Sequence, residues 1–180
     1  QYYYVDIDPR FGNTKVIGGA QDNGSTRNVG GTGTTFESVM GGDGVSVGLT
    51  DLIAAVQYEY VGFQLGEIIR RDATLASGFG TLITPTGEGG TGLFVTLFKL
   101  DPDNTQRLYY ANDNTLRRTT SASTVAAGTW TAMTGVATAV GAAFDITALA
   151  PSRGTYSSLT SSLFFGTSNG RVFRLDDPTG

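Results

Sequence analysis

The sequence predicts an all-β protein of the β-propeller class, and three observations support this prediction. Glycine accounts for 26 of 180 residues, and threonine, serine, tyrosine and phenylalanine are frequent, as is typical of short strands joined by turns. Short apolar segments recur between the turns. A motif of turn residue, spacer, aliphatic, spacer and arginine occurs at Gly66–Arg70, Asn114–Arg118 and Gly170–Arg174, with a weaker copy at Gly24–Asn28. A strand-built repeat of roughly 40 to 56 residues indicates a propeller or a similar array.

Each repeat divides into up to four strands, named A to D in chain order. Alternation of apolar and small or polar residues marks the strands, and proline turns follow three of the A strands. The predicted A strands are Tyr4–Asp8, Val45–Leu49, Phe98–Asp101 and Ile146–Ala150. The predicted B strands are Lys15–Gly18, Ala55–Tyr58, Leu108–Ala111 and Leu163–Gly166. The arginine motif is strand C, and the predicted D strands are Thr35–Val39, Gly80–Thr84 and Gly128–Ala132.

These strands define a single domain of four blade units, at about residues 1–40, 41–85, 91–134 and 141–180. The last unit is incomplete because no D strand follows Arg174, and the first unit already has its own A strand. We therefore expect an excerpt of a larger propeller with roughly seven blades. A self-sufficient four-bladed ring is the alternative.

Composition narrows the classes of function. The formal net charge is −4, and the arginines are dispersed, which disfavours nucleic acid binding. The chain has no cysteine and no histidine, so thiolate chemistry, histidine-based triads and the usual zinc ligands are excluded. No stretch is long and apolar enough to predict a membrane span, and the longest apolar run, Val136–Ala150, is interrupted by polar residues. The composition favours an extracellular or cell-surface protein.

Several motifs resemble those of the BNR/Asp-box, sortilin-like propeller superfamily, which includes secreted bacterial propellers and xyloglucanase-like glycoside hydrolases. The segment Val16–Gly24 is similar to a GG-x-QDNG motif, and Gly41–Gly44 is similar to the GGDG motif that follows one blade later. Gly33–Phe36 and Gly128–Trp130 resemble the ends of Asp boxes. The boxes are degenerate, because Thr120–Ser123 has no aspartate, but the resemblance still implies that Trp130 packs as an aromatic plug. Enzymes, receptors and assembly factors all use this fold, so the resemblance does not decide the function.

In a propeller, the B–C and D–A loops emerge at the same end. That end is the predicted ligand surface, and it collects Gln21, Asp22, Asn23, Asp43, Gln64, Asp113 and Asn169. Asp22 and Asp43 form a candidate catalytic pair, since two carboxylates can carry out glycoside hydrolysis. The other five are candidate ligand-binding residues. The alternative is turn chemistry, because Asn-Gly sequences favour tight turns.

The remaining motifs have structural interpretations. Asp101–Asn104 and Asp176–Pro178 are rich in oxygen ligands for calcium, but neither matches an EF-hand loop, so solvated turns are favoured and no cofactor is expected. Arg70, Arg118 and Arg174 occupy one position of the repeat, and we expect each to pair with a carbonyl or carboxylate of a neighbouring blade. In Tyr2–Tyr4, inward rings belong to the core and outward rings are available to stack on sugars.

We therefore expect a secreted binding or scaffold module whose partner is a glycan or protein ligand. Two alternatives stay open. The chain is part of a carbohydrate-active glycoside hydrolase, or it is a structural assembly protein that pairs through open blade edges with the rest of a propeller or with a partner chain.

Overall fold

Four antiparallel sheets form the four blades of a β-propeller in the computed structural model, which describes residues 1–10, 12–28 and 34–179. In each sheet the strands lie side by side in chain order. Blade 1 contains β1 (Tyr2–Ile7), β2 (Val16–Ala20), β3 (Gly24–Asn28) and β4 (Phe36–Met40). Blade 2 contains β5 (Val47–Ile53), β6 (Val56–Gly62), β7 (Ile68–Asp72) and β8 (Thr81–Leu82). Blade 3 contains β9 (Leu97–Asp101), β10 (Asn104–Asn112), β11 (Thr115–Thr119) and β12 (Thr131–Ala132). Blade 4 contains β13 (Ile146–Pro151), β14 (Ser162–Thr167) and β15 (Val172–Asp176). The predicted all-β fold with an incomplete fourth unit is confirmed.

Two segments differ from the predicted elements. A short helix, α1 (Val136–Val140), occupies the start of the apolar run between blades 3 and 4, and its two valines are buried against those blades. The D strand predicted over Gly128–Ala132 is instead a 3₁₀ turn at Ala127–Thr129 followed by the two-residue strand β12. None of the helices among the described residues has the length and apolar character required to cross a bilayer.

The hydrophobic core lies between consecutive blades. We call the face of a blade that points toward the next blade its forward face, and the opposite face its rear face. One hydrophobic cluster fills each junction between two neighbouring blades. Ile17 of blade 1 shares its cluster with Leu49 of blade 2. Tyr60 of blade 2 belongs to the cluster shared with blade 3, and Tyr109 of blade 3 belongs to the cluster shared with blade 4. Side chains alternate along each strand, so every interior sheet contributes one set of apolar residues to each junction.

Trp130 fills the junction between blades 2 and 3, as the resemblance implied. Its indole Nε1 donates a hydrogen bond of 2.7 Å to the carbonyl of Ile83, and its ring centroid lies 5.8 Å from that of Tyr110. The indole therefore packs as an aromatic plug although the preceding segment, Thr120–Ser123, has no aspartate.

The repeated arginines join consecutive blades at two of three positions. The Nη1 atom of Arg70 donates to the carbonyls of Ala122 at 3.2 Å and Val125 at 2.7 Å, both in blade 3. Arg118 donates in the same way to the carbonyl of Thr179 at 2.7 Å, at the end of blade 4. The expectation of an inter-blade partner is wrong for Arg174, because its Nε atom pairs at 2.6 Å with Asp176 of its own strand.

A buried charge cluster joins blades 1 and 2. The Glu59 side chain is fully buried and its Oε1 atom lies 2.6 Å from Nη1 of Arg27 and 3.1 Å from Nζ of Lys15. Its Oε2 atom lies 3.1 Å from Nε of Arg71, whose side chain is also fully buried. The other nitrogens of Arg71 donate to carbonyls of Val39, Leu75 and Ala76. One carboxylate thus contacts three cations, each from a different strand or loop, and Glu37 also pairs with Arg27 at 2.6 Å.

Candidate functional site

The B–C and D–A loops meet at one end of the propeller, which we call the upper end. The backbone N–H of Gly44 donates to the carbonyl of Ala20 at 3.1 Å, and the N–H of Asp22 donates to Oδ1 of Asp43 at 2.8 Å. The next junction repeats the pattern, since the N–H of Gly90 donates to the carbonyl of Leu65 at 2.9 Å. The structure therefore brings the two candidate carboxylate residues together at one loop junction.

One glycine from each of the two motifs, Gly19 and Gly44, has a packing role at this junction. A Cβ atom on Gly19 would lie 2.1 Å from the carbonyl oxygen of Val45, and one on Gly44 would lie 2.1 Å from that of Gly24. Only backbone fits between the first B–C hairpin and the next D–A segment. Each motif therefore supplies one side of the same close contact.

An exposed aromatic pair lies beside this junction. The rings of Tyr3, at the start of β1, and Phe94, before β9, meet edge to face with centroids 6.5 Å apart. Tyr3 is 39% exposed and Phe94 is 40% exposed, and the Tyr3 hydroxyl donates to Oε1 of Gln21 at 2.7 Å. Both residues precede or begin an A strand, so the pair connects blades 1 and 3 at the upper end. The sequence identified Tyr3 within a tyrosine run but gave no signal for Phe94.

Two predicted ligand residues stabilise their own hairpins. The side-chain amide of Asn23 donates to the carbonyl of Gln21 at 3.1 Å, and Oδ1 of Asn169 accepts from the hydroxyl of Thr167 at 2.7 Å. Both contacts are local side-chain bonds of the kind that asparagine makes in turns. Gln64, in the second B–C loop, has a buried Oε1 atom with no hydrogen-bond partner among the described residues.

Asp113 lies at the junction between blades 3 and 4, away from Asp22 and Asp43. Its carbonyl accepts from the N–H of Ile146 at 2.7 Å, and its backbone has a φ of 49°. Burial, together with the negative charges of Asp145 and Glu88, raises the pKa of Asp113 above its ordinary value. Glu88 itself is bound by Nε of Arg117 at 2.7 Å and by Nδ2 of Asn112 at 3.0 Å. The Glu88 carboxylate is therefore held by structural partners at the upper end.

A recess lies at the opposite end, where the A–B loops are located. This cavity of about 480 Å³ is lined by the inner strands of blades 1 to 3 and by Arg153, and none of the predicted site residues reaches it. Burial raises the pKa of Asp6 in its wall, although the N–H of Leu49, at 2.8 Å, and the charge of Lys99 act in the other direction. The sequence did not predict this recess, because residues from β1, β5 and β9 meet only in the folded arrangement.

The oxygen-rich turns have protein partners. Oδ1 of Asp101 accepts from the N–H groups of Asp103 and Asn104, and the Asp103 carboxylate pairs with Arg153 at 3.0 Å. Asp176 is bound by Arg174. Among the described residues, no group of three or more acidic side chains is placed to hold a metal ion.

Comparison of the chain with protein-family models gave no match, and comparison with curated proteins gave none. The resemblance to Asp-box, sortilin-like propellers therefore stays a prediction that depends on the motifs at Val16–Gly24 and Gly41–Gly44. The fold itself is compatible with a binding or scaffold module.

Proposed function

We propose that this propeller is a saccharide-binding module whose ligand surface is its upper end. The observation that carries the proposal is the exposed Tyr3–Phe94 pair held next to Gln21 and the Asp22–Asp43 junction. Exposed aromatic rings beside amide and carboxylate oxygens suit a sugar ring, which has an apolar face and a rim of hydroxyl donors.

The geometry of Tyr3 supports a preformed site. Its hydroxyl is fixed by Gln21 and its ring is supported by Phe94, so little side-chain entropy is lost when a ligand stacks on the pair. The loops below are held by backbone contacts that admit no side chain at Gly19 or Gly44. A rigid surface of this kind favours binding without a large conformational rearrangement.

The proposal is tested by affinity electrophoresis in gels that contain soluble xyloglucan or mannan. We expect the wild-type chain to be retarded by at least one polysaccharide, and the variants Tyr3→Ala and Phe94→Ala to show about tenfold weaker retardation as a stacking surface is lost. Phe79→Ala is the matched control, because Phe79 is an exposed aromatic residue in a C–D loop at the opposite end.

Two results would overturn the proposal. Unchanged mobility of the wild-type chain in both gels would reject saccharide binding at this surface. Equal retardation of the wild type and the two aromatic variants would place any binding elsewhere.

A further inference from the structure

The recess at the A–B loop end, which we call the lower recess, has five charged residues in its wall. Its volume of about 480 Å³ lies within the range of about 300 to 1,000 Å³ that is usual for small-molecule sites. The charged residues are Asp6, Asp8, Lys99, Asp101 and Arg153. A charge that is partly removed from water needs a compensating group, so the charges that lack a partner in the protein define what the recess can bind.

Three of the five charges have partners within the protein. The Asp8 carboxylate accepts from Nε of Arg10 at 2.9 Å. The Asp101 carboxylate accepts from two backbone N–H groups of its own turn and lies 3.5 Å from a guanidinium. Arg153 pairs with Asp103 at 3.0 Å. These three side chains therefore leave little binding capacity for a ligand.

The other two charges, Asp6 and Lys99, are not paired. The Lys99 side chain is half-buried, and its Nζ atom has no hydrogen bond or ion pair among the described residues. The Asp6 carboxylate accepts from the backbone N–H of Leu49 at 2.8 Å, but no cation in the described part of the chain forms an ion pair with it. Lys99 interacts with Asp6 electrostatically without direct contact. The recess thus has one carboxylate and one ammonium group available to a ligand.

The strand register explains why both groups reach the recess. Asp6 of β1 pairs with Ile17 of β2, and Lys99 of β9 pairs with Tyr109 of β10. Directly paired residues of antiparallel strands project from the same side of the sheet. Ile17 and Tyr109 both lie on forward faces, so Asp6 and Lys99 occupy matching positions on blades 1 and 3.

We propose that the lower recess binds a small zwitterion, whose carboxylate contacts Lys99 and whose ammonium contacts Asp6. The three N–H donors of Lys99 suit a carboxylate, and the oxygens of Asp6 suit an ammonium group. A zwitterion is neutral overall, so it compensates both side chains without bringing net charge into the recess. A carboxylate or an amine alone would leave one of the two side chains unpaired. Free amino acids have the required chemistry.

The burial of Asp6 favours an ammonium over a neutral donor at this position. Burial raises the pKa of Asp6, because the ionised carboxylate is poorly solvated there. An ammonium group would supply both a hydrogen bond and a compensating charge, and hydrogen bonds between charged groups are roughly twice as strong as neutral ones. A hydroxyl group would supply the hydrogen bond alone.

The test follows the backbone N–H of Leu49, which donates to Asp6, in ¹H–¹⁵N correlation spectra of the full chain. The probes are glycine, β-alanine and γ-aminobutyrate, three zwitterions that differ in the separation of their charges. We expect at least one of them to shift the Leu49 signal with a Kd below about 1 mM. Acetate and methylammonium each carry one of the two groups, and they should bind at least about tenfold more weakly.

Two substitutions test the contacts separately. Lys99→Met and Asp6→Asn each remove one charge and largely preserve the size of the side chain, and each should raise the Kd of the best zwitterion at least about tenfold. Arg171→Met is the matched control, because it removes a positive charge from an exposed position in a B–C hairpin at the upper end; it should change the Kd less than about twofold. Thermal unfolding checks that the variants are folded, and the comparison of probes on the wild-type chain does not depend on them.

Three results would overturn the proposal. The first is a Leu49 signal that none of the zwitterions shifts at concentrations up to about 10 mM. The second is acetate or methylammonium binding as tightly as the best zwitterion, and the third is unchanged zwitterion binding in Lys99→Met. These measurements use no saccharide and report on the opposite end of the propeller, so they stand apart from the proposed function.

Discussion

Removal of Glu59 should destabilise the propeller more than any surface substitution. In Glu59→Ala, the guanidinium of Arg71 would stay fully buried with only carbonyl partners, and Arg27 and Lys15 would lose the acid between them. Breaking a buried ion pair from one side typically costs about 3 to 5 kcal/mol, because it leaves an uncompensated buried charge. Glu59→Gln preserves the volume and one acceptor, and its expected cost is about 2 to 3 kcal/mol.

These losses are large relative to the whole stability of a domain, which is about 5 to 15 kcal/mol. Urea unfolding followed by the fluorescence of Trp130, the single tryptophan, should detect them directly. With a urea dependence of about 2 kcal/mol per molar, the midpoint of Glu59→Ala should fall by about 1.5 to 2.5 M.

The matched control is Glu67→Gln, which removes an exposed carboxylate from the same blade and should change the free energy of unfolding by less than about 0.5 kcal/mol. If Glu59→Ala costs less than about 1 kcal/mol, the cluster does not hold blades 1 and 2 together, and the account of this junction is wrong.

Three further substitutions test other contacts. Arg70→Ala removes two charge-assisted hydrogen bonds to carbonyls of blade 3 and should cost about 2 to 3 kcal/mol in urea unfolding; a loss below about 0.5 kcal/mol would show that the contacts are not stabilising. Gly44→Ala places a Cβ atom 2.1 Å from a backbone carbonyl and should cost at least about 2 kcal/mol in thermal unfolding, whereas Gly41→Ala in the same motif meets nothing within 4 Å and should be nearly neutral. Asp113→Asn should raise stability at pH 7 by at most about 0.5 kcal/mol and leave it unchanged at pH 3. The raised pKa of Asp113 means that its contribution is fully present below the unfolded pKa and is lost as pH rises through the folded pKa, so equal effects at both pH values would contradict this reasoning.

The sequence was sufficient to predict the blades because the patterns that identify their strands are local. The alternation in Tyr2–Ile7 and the repeated motif at Gly66–Arg70 are visible within a few residues, and the structure has strands at both places. The helix at Val136–Val140 was missed because an apolar run of this length fits a buried strand as well as a helix.

The candidate site was harder to predict from the sequence because it depends on contacts between distant segments. The adjacency of Asp22 and Asp43 followed from loop order, but the pairing of Tyr3 with Phe94 has no local pattern. The Glu59 cluster was also invisible, because its members come from several strands whose register the sequence does not define.

Arg174 shows where repeat logic and structure separate. Its place in the motif predicts a hydrogen bond to a carbonyl of a following blade, but the structure shows an ion pair with Asp176 of its own strand instead. Arg174 thus has the repeated position without the repeated contact, and it lies on the same exposed face as Val172. Gly24 of the QDNG motif and Gly44 of the GGDG motif show the converse, since both make close backbone contacts inside the chain. At the proposed saccharide site, Tyr3 and Phe94 rather than these glycines have the exposed surface that a ligand would contact.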